Sequence, residues 1–174
     1  MIDISTVGAK VEIVFNDGNK ITVTEFSDEG TPFDAPDVTA STNQKNLNGQ
    51  MISSRTPSVY PVNLTVIPCS DADYELTQRL SEATISPGNV QPIRRLIVRT
   101  LTVSLPGING DIPRMYIYSN GRMKSGAQGP SSSAQGRMSA RRFSFEFEGY
   151  STSGVGKNVD SSTSNSQSGE GSSN

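Results

Sequence analysis

Arg141-Arg-Phe-Ser-Phe-Glu-Phe-Glu148 sets a phenylalanine at every second position, with Ser144, Glu146 and Glu148 alternating against them. An extended backbone turns successive side chains to opposite faces. Phe143, Phe145 and Phe147 therefore share one side, and the stretch predicts a strand with one buried face. Working outward, Tyr60-Pro-Val-Asn-Leu-Thr-Val-Ile67 repeats the pattern, with Val62, Leu64 and Val66 against Asn63 and Thr65, until Pro68 stops it. Lys10-Val-Glu-Ile-Val-Phe15 and Lys20-Ile-Thr-Val-Thr-Glu-Phe26 flank Asn16-Asp17-Gly18-Asn19, whose Asp-Gly pair accepts the positive φ of a tight turn, so the two predict a hairpin. Arg94-Arg-Leu-Ile-Val-Arg-Thr-Leu-Thr-Val103 is rich in β-branched residues and predicts a long strand ended by Pro106-Gly107, and Met115-Tyr-Ile-Tyr118 predicts another. A single sizeable helix fits the pattern. Ser70 or Asp71 caps it, Asp73 and Glu75 occupy its positive first turn, and Ala72, Leu76, Leu80 and Ala83 form one apolar stripe.

The segments between these elements differ in character. Residues 28–57 carry Gly30, Pro32, Pro36 and Gly49 among acidic and amide residues, and read as a polar arm with short strands at Val38–Ser41 and Gln50–Arg55. Residues 119–140 read as a loop of small residues with Arg122, Lys124 and Arg137 and no carboxylate. Residues 151–174 include 9 Ser and 4 Gly with only Val155 and Val159 apolar. Such a segment buries too little surface to offset roughly 1–2 kcal/mol per residue of backbone ordering, so it is expected to be disordered alone in water. One β domain over residues 1–150 with a Ser/Gly-rich extension over 151–174 is the organisation this implies.

Composition removes much of ordinary enzymology. The 174 residues, 33% hydrophobic and 18% charged, make one domain with a core. Without His, and with Cys69 as the sole Cys, His-based metal sites, Ser-His or Cys-His nucleophile pairs and an intramolecular disulfide are excluded. Cys69 precedes a helix, where a thiol pKa can fall, but with no His to act as base it is expected to be buried and inert. Asp71-Ala-Asp73 lacks the remaining ligands of a calcium loop and reads as helix capping. Gly154-Val-Gly-Lys157 lacks the earlier Gly, the following Ser or Thr and the strand-to-helix context of a phosphate loop, and reads as linker. No enzyme and no cofactor is expected. The opening Met1-Ile-Asp-Ile-Ser-Thr predicts no signal peptide, no apolar run is long enough to span a membrane, and folding in a cytoplasm is the corresponding expectation.

Charge is segregated along the chain. Residues 1–90 hold 5 basic and 12 acidic side chains, residues 91–142 hold 9 basic and only Asp111, and residues 143–174 hold Lys157 against four acids. Such a chain can pair its halves internally or lay copies head to tail. The candidate interface residues are Asp28, Glu29, Asp34 and Asp37 on the acidic side, and Arg94, Arg95, Arg99, Arg122, Lys124, Arg137, Arg141 and Arg142 on the basic side. Paired carboxylates for glycoside chemistry are the competing reading of the first group, and a solvated or partner-facing surface is preferred. A phosphate backbone, stacked on nearby Tyr116 and Tyr118, is the competing ligand of the second, which leaves a monomeric module for nucleic acid or an acidic partner as an alternative.

The order of features resembles a known family. An N-terminal hairpin leads to Gly30-Thr-Pro-Phe-Asp-Ala-Pro-Asp37, then Asn46-Leu-Asn-Gly49, then Ser58-Val-Tyr-Pro-Val-Asn-Leu-Thr-Val-Ile-Pro68, then Ser70-Asp-Ala-Asp73 with a short helix, a long strand, and a closing Gly-Arg-Met and Phe-Ser-Phe-Glu-Phe. This is similar to the tail-tube proteins of long-tailed bacteriophages, contractile ones especially. The resemblance implies a β-sandwich or partly closed barrel of antiparallel strands with one flanking helix. It implies a homo-hexameric ring in the virion tail, stacked on other rings, in contact with tail, baseplate and sheath proteins, with DNA as a passenger. A tube-like baseplate or neck junction protein is the alternative within the same class.

Overall fold

A computed structural model describes residues 8–26, 31–39, 41–55, 58–85, 94–106, 113–132 and 136–153. Nine strands and one helix follow one another: β1 (Lys10–Phe15), β2 (Lys20–Val23), β3 (Phe33–Asp34), β4 (Ser41–Lys45), β5 (Met51–Arg55), β6 (Tyr60–Val66), α1 (Asp71–Ile85), β7 (Ile97–Leu105), β8 (Arg114–Gly126) and β9 (Arg141–Ser153). Seven of the strands form one sheet in the order β2-β1-β7-β8-β9-β6-β3, and β4 and β5 pair separately. Every pairing is antiparallel.

The phenylalanine stripe does what its period implies. Phe143, Phe145 and Phe147 are all buried, opposite Leu64, Val62 and Tyr60 of β6. Core-facing residues continue in rows across the sheet. Ile21, Ile13, Leu101, Tyr118 and Tyr150 are successive partners from β2 to β9, and Phe15, Val98, Gly121, Phe147 and Tyr60 form the next row from β1 to β6. Side chains from β1, β2, β6, β7, β8, β9 and α1 meet in one cluster. A flat sheet cannot bring both its ends to one core, so this sheet curls. Phe26, just beyond β2, packs edge-on against Phe33 of β3 with ring centroids 6.3 Å apart. The two sheet edges therefore approach without pairing, and the fold is a curled sheet that stops short of a closed barrel.

Two rows on the core face of β7, β8 and β9 lie three residues apart instead of two. Val98 and Leu101, Gly121 and Tyr118, and Phe147 and Tyr150 hold the core-facing positions on either side of Arg99, Asn120 and Glu148. Against β1, which keeps its alternation, Arg99 is the extra residue of a β-bulge. Asn120 takes a positive φ of 53°, a conformation Asn tolerates better than most residues. The alternation thus changes phase in three neighbouring strands at one level, forming a crease.

The expected basic loop over 119–140 is corrected at its start, because β8 runs through Gly126. Gly121 and Gly126 occupy core-face positions covered by the rings of Phe147 and Phe143. Small residues there mark aromatic packing from the next strand, not a loop. Of the two short strands expected in the arm, Met51–Arg55 forms, whereas residues 38–39 are irregular and β4 starts only at Ser41. β9 also outlasts the expected boundary at Tyr150, with Ser153 pairing Met115. The Ser-rich segment beyond it lies outside the described residues.

Helix α1 covers the core face. Ser70 is its N-cap, its Oγ accepting from the Asp73 amide at 3.2 Å, while an Asp73 carboxylate oxygen accepts from the Cys69 amide at 3.0 Å. The first bond satisfies a donor that the helix start leaves open, and the second ties down the turn that leads into it. Cys69 adopts φ 64° to make that turn, and its side chain is exposed. The expectation of a buried thiol is therefore corrected: the left-handed turn aims Cys69 outward, where Sγ lies 3.8 Å from Met138 Sδ.

Candidate assembly surfaces

Three features on the periphery of the curled sheet can engage another chain. The first is the β4–β5 hairpin. Its turn is tightly made: Asn46 Oδ1 accepts from the amides of Asn48 (3.1 Å) and Gln50 (2.8 Å), and Gly49 takes φ 76°. Every residue of β4 is exposed, as are Met51 and Ile52 on β5, and Leu47 at the tip is fully exposed. A lone two-stranded hairpin is marginal in water, so one with this much bare apolar surface calls for a packing partner.

The second is the seam between the sheet edges. Thr65 of β6 donates its amide to Pro32 O at 2.8 Å, so the odd-numbered residues of β6 point their backbone groups outward toward β3. β3 covers only Leu64 and Asn63. Beyond its end the next outward position is Pro61, which has no N–H to offer. Proline here blunts an edge that would otherwise recruit stray strands, leaving β2 as the edge with a complete set of donors.

The third is an aromatic cleft of about 310 Å³ where the arm leaves the body, lined by Pro36, Asp37, Val38, Tyr60, Tyr118 and Tyr150. Tyr118 and Tyr150 stack with centroids 5.2 Å apart, and Tyr150 reaches Tyr60 at 5.7 Å. Burial first, then Tyr150 and Tyr116, raise the Tyr118 hydroxyl above its ordinary pKa.

The predicted charged residues divide into used and free. Arg141 Nε lies 3.0 Å from Asp73 Oδ1, and an Arg141 guanidinium NH donates to Ala127 O at 2.6 Å. Arg142 faces Asp34 at 3.6 Å, Arg95 pairs with Glu82, and Lys124 pairs with Glu146. These five members of the predicted set, Asp34 among them, are thus joined within the chain. Arg94, Arg99, Arg122, Arg137 and Asp37 are exposed and form no ion pair among the described residues. Asp28 and Glu29 lie outside the described residues.

Sequence reasoning missed the buried ion cluster behind these surfaces. Arg79 is 3% exposed, stacks 3.9 Å above the Phe15 ring, and donates to Asp17 (2.9 Å), Glu75 (3.2 Å) and the Arg95 carbonyl (3.0 Å). Burial works to raise the Asp17 pKa, but Arg79 and the Asn19 amide outweigh it and hold the carboxyl below its ordinary value. Arg79 falls three residues after Leu76 on the apolar stripe, and that position is the signal that was available. No group of metal-ligating side chains occurs among the described residues.

A family model described as tail fiber protein gp32 matches residues 2–151. A comparison with curated proteins finds no match. Among solved structures the chain is similar to the tube-terminating cap of the anti-feeding prophage, at 13% identity over 89% of this chain and 93% of that one, with a TM-score of 0.57. It is similar to a chain of the sheath-tube complex of an extracellular contractile injection system, at 16% identity over 88% and 93%, again with a TM-score of 0.57. A chain of the anti-feeding prophage baseplate, in a six-fold symmetrised structure, matches at 11% identity over 88% and 97%, with a TM-score of 0.53. Likenesses at this identity establish a tail-tube-like fold.

Proposed function

The chain belongs to the tail fiber protein gp32 family, and we propose that it acts as a structural subunit of a phage-like contractile tail, working through self-association rather than catalysis. The β4–β5 hairpin carries this reading: it is an ordered arm whose apolar residues Leu47, Met51 and Ile52 are exposed, without cover among the described residues. The proposed assembly is a hexameric ring around a bore that DNA traverses. Each copy presents the same heterologous contact to the next, with exposed Arg94, Arg99, Arg122 and Arg137 available to meet Asp37 and the acidic segment of a neighbour.

A terminal or junction ring is the second reading. It is supported by the likeness to proteins from a tube-terminating cap and a baseplate, on an equal footing with a protein from a sheath-tube complex. Negative-stain microscopy with light scattering over a range of concentrations tests both. Closed rings with a central hole are expected, single rings favouring the terminal position and stacks favouring the repeating tube. Deleting residues 41–55 should leave the body folded and abolish assembly. A wild-type chain that stays monomeric at high concentration overturns self-association.

A further inference from the structure

The two most exposed large apolar side chains of the described residues are Leu47, at 107% of its reference area, and Tyr74, at 73%. Leu47 sits at the tip of the hairpin and Tyr74 on the solvent side of α1, and neither is covered among the described residues. Their surroundings carry opposite charge. Between Asp37 and Asp71 the sequence holds Lys45 and Arg55 and no carboxylate. The solvent stripe of α1 shows Asp71, Tyr74, Glu75, Gln78 and Glu82; Glu75 is paired with the buried Arg79 and Glu82 with Arg95, so Asp71 is the carboxylate of the stripe left without an ion pair among the described residues. Neither Lys45 nor Asp71 forms an ion pair among the described residues.

We propose that the tip of the β4–β5 hairpin of one copy docks on the solvent stripe of α1 of a second copy, with Leu47 against Tyr74 and Lys45 facing Asp71. The contact rests on the self-association reading and assigns it an acceptor. An apolar pair at the centre with a charge pair at the rim is the anatomy of a specific interface, the first supplying affinity and the second orientation. The contact is heterologous, using different surfaces on the two copies, so repetition carries it on to a third copy.

The chain contains its own reporter. Cys69 is exposed and lies two residues before Asp71, and it is the only cysteine. Wild-type protein is mixed with an Asn48→Cys, Cys69→Ser chain, which keeps Leu47, treated with a short bismaleimide, and the linked peptides are identified by mass spectrometry, while light scattering follows association in the same sample. The expected product joins position 48 of one chain to Cys69 of the other. Lys45→Glu in the donor should weaken association about tenfold, and Asp71→Lys in the acceptor should restore it. A far-UV circular dichroism spectrum like that of the wild type confirms that each variant folds. Association without the 48–69 link, or without rescue by the charge swap, overturns this contact and leaves self-association standing. A mixture that stays monomeric overturns both.

Discussion

Gly121→Ala tests the packing that lengthens β8. Gly121 lies beneath the Phe147 ring, and a Cβ added there would stand 2.5 Å from the Glu146 carbonyl oxygen and 2.6 Å from Phe147 Cε1. A ring can tilt, but a ladder carbonyl cannot move without loosening the β8–β9 pairing. Overpacking of a core typically costs 1–3 kcal/mol, and a backbone clash belongs at or above the top of that range, so about 3 kcal/mol is expected. Gly126→Ala is the internal control. Its Cβ would meet only side chains, Phe143 Cε1 at 2.7 Å and Leu80 Cδ2 at 3.2 Å, which can shift, so about 1 kcal/mol is expected there. With a urea slope of about 2 kcal/mol per molar, the first change should lower the unfolding midpoint by about 1.5 M and the second by about 0.5 M. Far-UV circular dichroism on the chain lacking residues 41–55, at concentrations where scattering reports monomer, reads both midpoints. Equal shifts, or a larger one for Gly126→Ala, would refute the argument.

Asp17→Asn removes the charge that meets buried Arg79 but leaves Glu75 and the Arg95 carbonyl in place. A loss of about 2 kcal/mol is expected by urea unfolding, below the 3–5 kcal/mol seen when a buried charge loses every partner. Asp73→Ala takes away both the Cys69 amide's acceptor and the partner of Arg141, and should cost about 3 kcal/mol by the same measurement. Glu12, held down by hydrogen bonds from Lys10 and Lys20, and Asp17 both have folded pKa values below their ordinary 4.5 and 3.8. Their stabilisation is complete above those ordinary values and is lost as pH falls through the lower folded ones. Tyr118, raised above 10.0, works in the opposite sense, contributing fully below pH 10 and losing that contribution as pH rises through its folded pKa. Thermal melts across pH should therefore fall at both extremes, and Asp17→Asn should flatten the acid limb.

Strands whose burial follows a local period were legible in the sequence. β1, β6 and the first half of β9 alternate cleanly, and the Ser70 cap announces α1. Elements completed by a distant partner were not. The inward positions of β8 at Gly121 and Gly126 are filled by side chains from β9, so the strand's own apolar face is broken into Tyr118 and Met123 with glycines between and beyond them. Arg99 and Asn120 interrupt the alternation, so a window sliding along β7 or β8 loses phase where the sheet is most continuous. Of the charged set, the sequence showed which residues carry charge but not which would be consumed inside the chain. Arg141 finds Asp73 and Arg142 finds Asp34 only after β9 has paired with β6. The hairpin arm gave half its signal, in the strand expected over Gln50–Arg55, and hid the rest because β4 is wholly polar.

The crease at Arg99, Asn120 and Glu148 constrains how this chain can change length. Deleting any one of the three residues would leave its strand one residue short against a neighbour that keeps its own, so the pairing on one side of that point would slip by one residue. Removing all three together would keep the strands matched to one another and would also close the bulge against β1, which has no extra residue at that level, so only the combined deletion preserves the pairing. Single-residue insertions and deletions should therefore be tolerated in the β4–β5 turn and barred from this line across β7, β8 and β9. A scan of one-residue deletions, scored by soluble yield, would trace the crease as a stripe of failures at three places far apart in sequence.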